Sequence, residues 1–177
     1  MLVFLIAGSV LTISLTFYFY QVFFSPNTLW ESKEAYLLEI PTGAVYAQVA
    51  NQLYDEKVIN EALSFSFVAK ILGYQEGVKS GLYRIEPNMN NLDLVRMLRA
   101  GRQVPVKITF NNIRTKEELA KKITANLEVS EEQFLALLQD SVYIRSFEFE
   151  EETILSLFIP NTYEFWWNTS ATGLFDR

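Results

Sequence analysis

The residues best suited to chemistry gather near the end of the sequence, in Pro160-Asn161-Thr162-Tyr163-Glu164-Phe165-Trp166-Trp167. Asn161 and Thr162 are short hydrogen-bonding residues that favour a turn. The flat faces of Tyr163 and Trp166, with amide and hydroxyl groups beside them, are the parts of which a carbohydrate or peptide cleft is made. Glu164 stands among the rings, and a carboxyl held against apolar groups keeps its proton to higher pH, as a general acid must. A blander reading has equal standing on composition alone: an aromatic corner of the core, with Glu164 turned to water.

A second acidic cluster, Glu148, Glu150, Glu151 and Glu152, has the composition of a metal site or a catalytic pair. It reads more simply as a solvated helix start, where the helix dipole favours carboxylates. The sequence has neither histidine nor cysteine. That removes Ser-His-Asp triads, His-based zinc motifs and all thiol chemistry, and leaves carboxylates to carry protons. No metal or cofactor is implied. The net charge is −6 with no basic patch, which argues against nucleic acid as a partner.

Several elements must position these residues. Leu2 to Phe24 is an uncharged apolar run, and as a helix its residues rise about 35 Å, enough to cross a hydrocarbon layer of about 30 Å. Phe17 to Tyr20, Phe23 and Phe24 form an aromatic belt at its end. A cleaved signal peptide would start with basic residues and end in small ones, and this run does neither. A retained anchor over residues 1–24 is therefore expected, with the following domain outside the cytoplasm, the usual arrangement for single N-terminal anchors. Residues 25–34 read as a polar linker.

Beyond it, Ala35–Pro41 has a strand pattern, and a helix with Val45, Val49, Ala50 and Leu53 inward runs from Gly43 to about Glu56. A second helix starts at Asn60 as its cap, with Leu63, Phe67, Val68 and Ile71 as its buried stripe. Lys79–Pro87 is a strand. The next helix has Asn91 as cap, Leu92, Val95 and Leu98 on one face, and Gly101 as its stop. Val104–Phe110 is a further strand. Thr115 with Glu118, and Ser130 with Gln133, form two capping boxes opening helices whose inward residues are Leu119, Ile123 and Leu127, then Phe134, Leu137 and Leu138. Another helix is expected from Ala171.

This order of segments resembles the endolytic murein transglycosylases, the YceG-like or MltG family. The likeness is carried by LLEIPTG, by SGLYRIEP followed by a helix ending in Leu98-x-x-Gly101, by RTKEELAKKI and EEQFLALLQD, and by LFIPNTYEF. The last is similar to the family signature Glu-Gly-x-x-x-Pro-Asp-Thr-Tyr. The resemblance implies an α+β protein: a transmembrane helix, a small LysM-like α/β module at 35–103, and at 104–177 the helical start of an α+β catalytic domain, the chain being part of a longer protein. It implies attachment to a bacterial inner membrane, peptidoglycan glycan strands as substrate, and the cell-wall synthesis machinery as neighbour.

The implied reaction is non-hydrolytic. A glutamate protonates the glycosidic oxygen and then acts as base while the sugar's own 6-hydroxyl closes a 1,6-anhydro ring. Pro160, Thr162 and Tyr163 match the signature, and Asn161 replaces its Asp. Leu155 occupies the place of the glutamate and Ser156 that of the glycine. Since leucine cannot move a proton, Glu164 and Glu152 become the catalytic candidates, with Asn161, Thr162, Tyr163 and Trp166 as substrate-binding residues. The alternative is a wall-binding or scaffold protein of the same fold that has lost its acid.

Overall fold

A computed structural model describes residues 1–28, 30 and 34–176. The expected linker falls partly on Leu29, Glu31, Ser32, Lys33, which lie outside the described residues. The chain is a mixed α+β protein with two small sheets, divided into two compact units, Met1–Arg102 and Gln103–Arg177.

The first unit opens with α1 (Leu2–Phe24), the one helix among the described residues that is long and apolar enough to cross a membrane. Strands β1 (Tyr36–Ile40) and β2 (Gly81–Ile85) pair antiparallel, with Leu38 opposite Tyr83. Alternation sends Leu38, Ile40, Tyr83 and Ile85 inward and Glu39 and Arg84 outward. The inner face packs with α2 (Tyr46–Asp55), α3 (Ala62–Ile71) and α4 (Asn91–Ala100) around Val49, Leu53, Phe65, Val68, Tyr74, Leu94, Val95 and Leu98.

Four expectations change here. Residues 25–28 are no linker. Pro26 bridges Asn90, and Asn27 and Thr28 are buried, with both backbone N–H groups donating to the Met89 carbonyl. The α4 cap is Asn90, whose side chain accepts from the Asp93 N–H at 2.8 Å, while Asn91 turns inward. Asn60 likewise does not cap α3, which starts after Glu61.

The fourth change concerns the buried stripe of α3. Only Val68 of the expected four is buried; Leu63, Phe67 and Ile71 are 82%, 41% and 55% exposed, and the core takes Phe65 and Ala69 instead. Apolar residues occupy two faces of this helix at helical spacing, so periodicity alone does not say which face meets the core.

In the second unit β3 (Val106–Phe110) pairs antiparallel with β4 (Asn161–Phe165) across an intervening helical segment. That segment holds α5 (Lys116–Thr124), α6 (Glu131–Gln139) and the short α7 (Ser141–Arg145). Thr115 caps α5 by accepting from the Glu118 N–H at 3.1 Å, and Ser130 with Gln133 makes a full capping box on α6. The Glu118 carboxylate reaches back to the Arg114 N–H rather than to that of Thr115, so the first box is open. The core gathers Ile108, Phe110, Leu119, Ile123, Phe134, Leu138, Ile144, Ile154 and Phe165. Only a 3-10 turn, Thr172–Leu174, forms where a helix was expected from Ala171.

Candidate functional site

The β3–β4 ladder sorts the Pro-Asn-Thr-Tyr stretch into two faces. Side chains along a strand alternate, so Tyr163 and Phe165 go one way while Thr162 and Glu164 go the other. On the inner face the Tyr163 ring stacks on Phe110 with centroids 5.4 Å apart and planes at 10°, and lies 6.1 Å from Phe165. Its hydroxyl donates to the Ile159 carbonyl at 2.7 Å, closing the turn around Pro160. Beside it lies a cavity of about 120 Å³ lined by Phe158, Phe165, Leu174 and Phe175, which is apolar. Tyr163 is thus a keystone of the turn, half-buried and packed against the core.

The outer face is polar. The Thr162 and Thr109 hydroxyls are 2.7 Å apart, and the Glu164 carboxylate meets the Lys107 ammonium at 3.3 Å. Both members of that pair are well exposed, at 51% and 70%. Glu164 stands exposed beside a cation, whereas a general acid of the expected kind is enclosed among apolar groups. Trp166, just beyond β4, is 51% exposed and lines with Glu164, Pro105 and Thr169 a hollow of about 300 Å³. Trp167 is buried. A larger hollow of about 440 Å³ on the same unit is lined by Lys107, Thr109, Glu118, Lys121 and Lys122.

The structure therefore brings Thr162, Glu164 and Trp166 to one surface and takes Tyr163 away from it. Asn161 is exposed at the start of β4, and its side-chain oxygen accepts from the Thr162 N–H at 2.7 Å, so it shapes the turn. Leu155 is half-buried in a 3-10 turn, Ile154–Leu157, and lines with Ser156, Phe158 and Pro160 a third hollow of about 270 Å³ that has no carboxylate in its lining. Glu152 is exposed in the preceding turn, where its neighbour Glu151 bridges Lys116 at 2.9 Å.

Sequence reasoning missed Lys107 and Thr109. Their signal was the polar alternation within VKITF, but nothing in the sequence gives the register that sets them opposite Glu164 and Thr162.

Residues 38–177 match the profile of the YceG-like family. The chain belongs to the YceG-like family. Among solved structures it is similar to the Listeria monocytogenes protein lmo1499, described as yceG-like, with 26% identity over 81% of this chain and a TM-score of 0.38. The chain spans about half the length of that protein, 53% of it. No sequence match was found among curated proteins. The family match includes every residue of the β3–β4 platform and, in the first unit's sheet, all of β2 and β1 from Leu38 on.

Proposed function

We propose that this YceG-like chain is a single-pass membrane protein that works on peptidoglycan glycan strands, as an endolytic lytic transglycosylase of the inner membrane. In this reading α1 is the anchor, residues 35–103 form the LysM-like module outside the cytoplasm, and the outer face of the β3–β4 ladder is a wall of the glycan cleft. One observation carries it beyond family membership: an exposed Trp166, just past β4, lines one hollow with Glu164, which shares its strand face with Thr162. A sugar ring offers an apolar face to stack on indole and equatorial hydroxyls to bond to carboxylate and hydroxyl groups.

Glu164 fits this surface as a hydrogen-bonding residue, held by Lys107, better than as the acid. Glu152, exposed beside the Glu151–Lys116 pair, is then the remaining candidate for the proton donor of the non-hydrolytic reaction. The second reading, glycan binding without cleavage, is favoured by Leu155 at the position where the family signature has glutamate.

The test uses the chain reconstituted in liposomes with purified glycan strands. Retention of strands on the liposomes is measured together with 1,6-anhydromuramic ends by mass spectrometry. Retention that is lost in Trp166→Ala is expected. Ends that vanish in Glu164→Gln would return the acid to Glu164, and retention with no ends at all supports the binding reading. Neither retention nor ends refutes a glycan-facing wall.

A further inference from the structure

The apolar stripe that α3 leaves outside the core has a place to go. Leu63, Phe67 and Ile71 recur at every fourth position and so form one line along the helix. They are 82%, 41% and 55% exposed, and Lys70 stands exposed beside them. Single exposed apolar residues are ordinary, but three in a line on one helix face make a patch.

The position of that patch is set by α1. The ring of Phe67 lies 6.2 Å from Phe19 and 6.3 Å from Phe23. These contacts are not accidents of a loose tail: Val22 is buried, and its carbonyl accepts a hydrogen bond from the Asn91 side chain at 2.9 Å. A helix of this length exceeds a 30 Å hydrocarbon layer by about 5 Å, so each end projects about 2 Å when the helix is centred. Phe23 then sits at the boundary, and Phe19, about 6 Å of rise earlier, lies inside it. A side chain touching both rings is at the level of the acyl-chain boundary. There the medium around an exposed face is lipid, not water.

We propose that α3 lies on the bilayer surface, with Leu63, Phe67 and Ile71 inserted among the lipids beside the end of α1 and Lys70 reaching the headgroups. The inference rests on the reading of α1 as a membrane anchor. The apolar line faces acyl chains, the lysine stem follows it and the ammonium stays among phosphates, as long cationic side chains do at an interface. α1 and α3 together make two attachments, so the first unit is held in one pose on the membrane instead of swinging on its anchor. The outward sheet residues, Glu39 among them, remain in water.

The chain has no cysteine, so single cysteines give unambiguous labels. Leu63→Cys, Ile71→Cys, Glu39→Cys and Leu11→Cys variants of the full chain are coupled to an environment-sensitive fluorophore. Each is reconstituted in phosphatidylethanolamine and phosphatidylglycerol vesicles, with or without nitroxide-bearing lipids. Labels at 63 and 71 are expected to emit to the blue and to lose emission to a nitroxide near the top of the acyl chain. The label at 39 should stay water-like, and the label at 11, in the middle of α1, should be quenched by a deep nitroxide. Quenching at 11 with water-like emission at 63 and 71 overturns the proposal and leaves the anchor standing. No quenching at 11 overturns both. Blue emission at 63 and 71 that ignores lipid nitroxides shows a protein partner on the stripe and also overturns it.

Discussion

Replacing Asn91 should unfasten the first unit from the end of α1. The Val22 carbonyl is one of the last four of its helix, and its intrahelical donor would be the N–H of residue 26. Residue 26 is proline and has none. Asn91 supplies the missing donor at 2.9 Å, gives its second proton to the Ser64 hydroxyl at 3.0 Å, and accepts from the Asn27 amide at 2.7 Å. Asn27 in turn accepts from the Glu61 N–H at 2.8 Å.

Asn91 and Asn27 are 2% and 5% exposed, so water cannot step in where they sit. Two of the three hydrogen bonds contribute about 1 kcal/mol each net, and the one to the Val22 carbonyl, left buried without a partner, about 1.5 kcal/mol at the upper end of the usual range. Asn91→Ala should therefore cost about 3–4 kcal/mol. Asn91→Asp keeps the shape but cannot donate, and should cost as much.

Hydrogen-exchange mass spectrometry separates the two units by peptide. Amides of α3 and α4 that exchange by opening of the first unit should speed up on the order of 100-fold, since each 1.4 kcal/mol is tenfold. Peptides of α5 and α6 should be unchanged. A change within about threefold in α3 and α4, equivalent to under about 1 kcal/mol, would refute the claim that this network holds the unit together.

Other outcomes follow from the same geometry. The Tyr74 hydroxyl is buried without a hydrogen-bond partner, so Tyr74→Phe should raise stability by about 1 kcal/mol in denaturant unfolding. Burial first, then the neighbouring Tyr83 and Tyr46, pushes the Tyr74 hydroxyl far above the ordinary tyrosine range. A raised folded value means the folded state keeps a proton that the unfolded state releases. This contribution is whole below about pH 10 and falls as pH rises further, and Tyr74→Phe should flatten that alkaline slope. On β4, Trp166→Ala should weaken glycan retention roughly tenfold with little change in melting. Tyr163→Ala should instead lower stability by about 3 kcal/mol, because it removes a ring packed between Phe110 and Phe165. Lys107→Ala and Glu164→Gln, which break an exposed ion pair, should each change unfolding free energy by less than about 1 kcal/mol. Gly101 ends α4 at φ +71°, where an added Cβ would stand 2.8 Å from the Lys79 side chain. Gly101→Ala should cost about 1 kcal/mol by thermal unfolding.

The sequence by itself determined the elements whose causes are local. An uncharged run of membrane length, capping residues at Thr115 and Ser130, a glycine after α4 and alternating strands each act within a few residues, so spacing was enough to place them. It also carried the motif order that the family match bears out. What it did not contain was the choice between equivalent faces. Both apolar lines of α3 fit a helix, and only packing against the sheet selected Phe65 and Ala69 and left Leu63, Phe67 and Ile71 outside. Asn90 and Asn91 are the same residue type side by side, and the fold made one a cap and the other a buried bolt. At the candidate site the alternation of β4 was legible, but the face it offered to solvent was set by pairing with β3, more than fifty residues away. That pairing turned Tyr163 against the core and put Lys107 against Glu164, because a strand's register with a distant partner depends on how the whole unit closes its core.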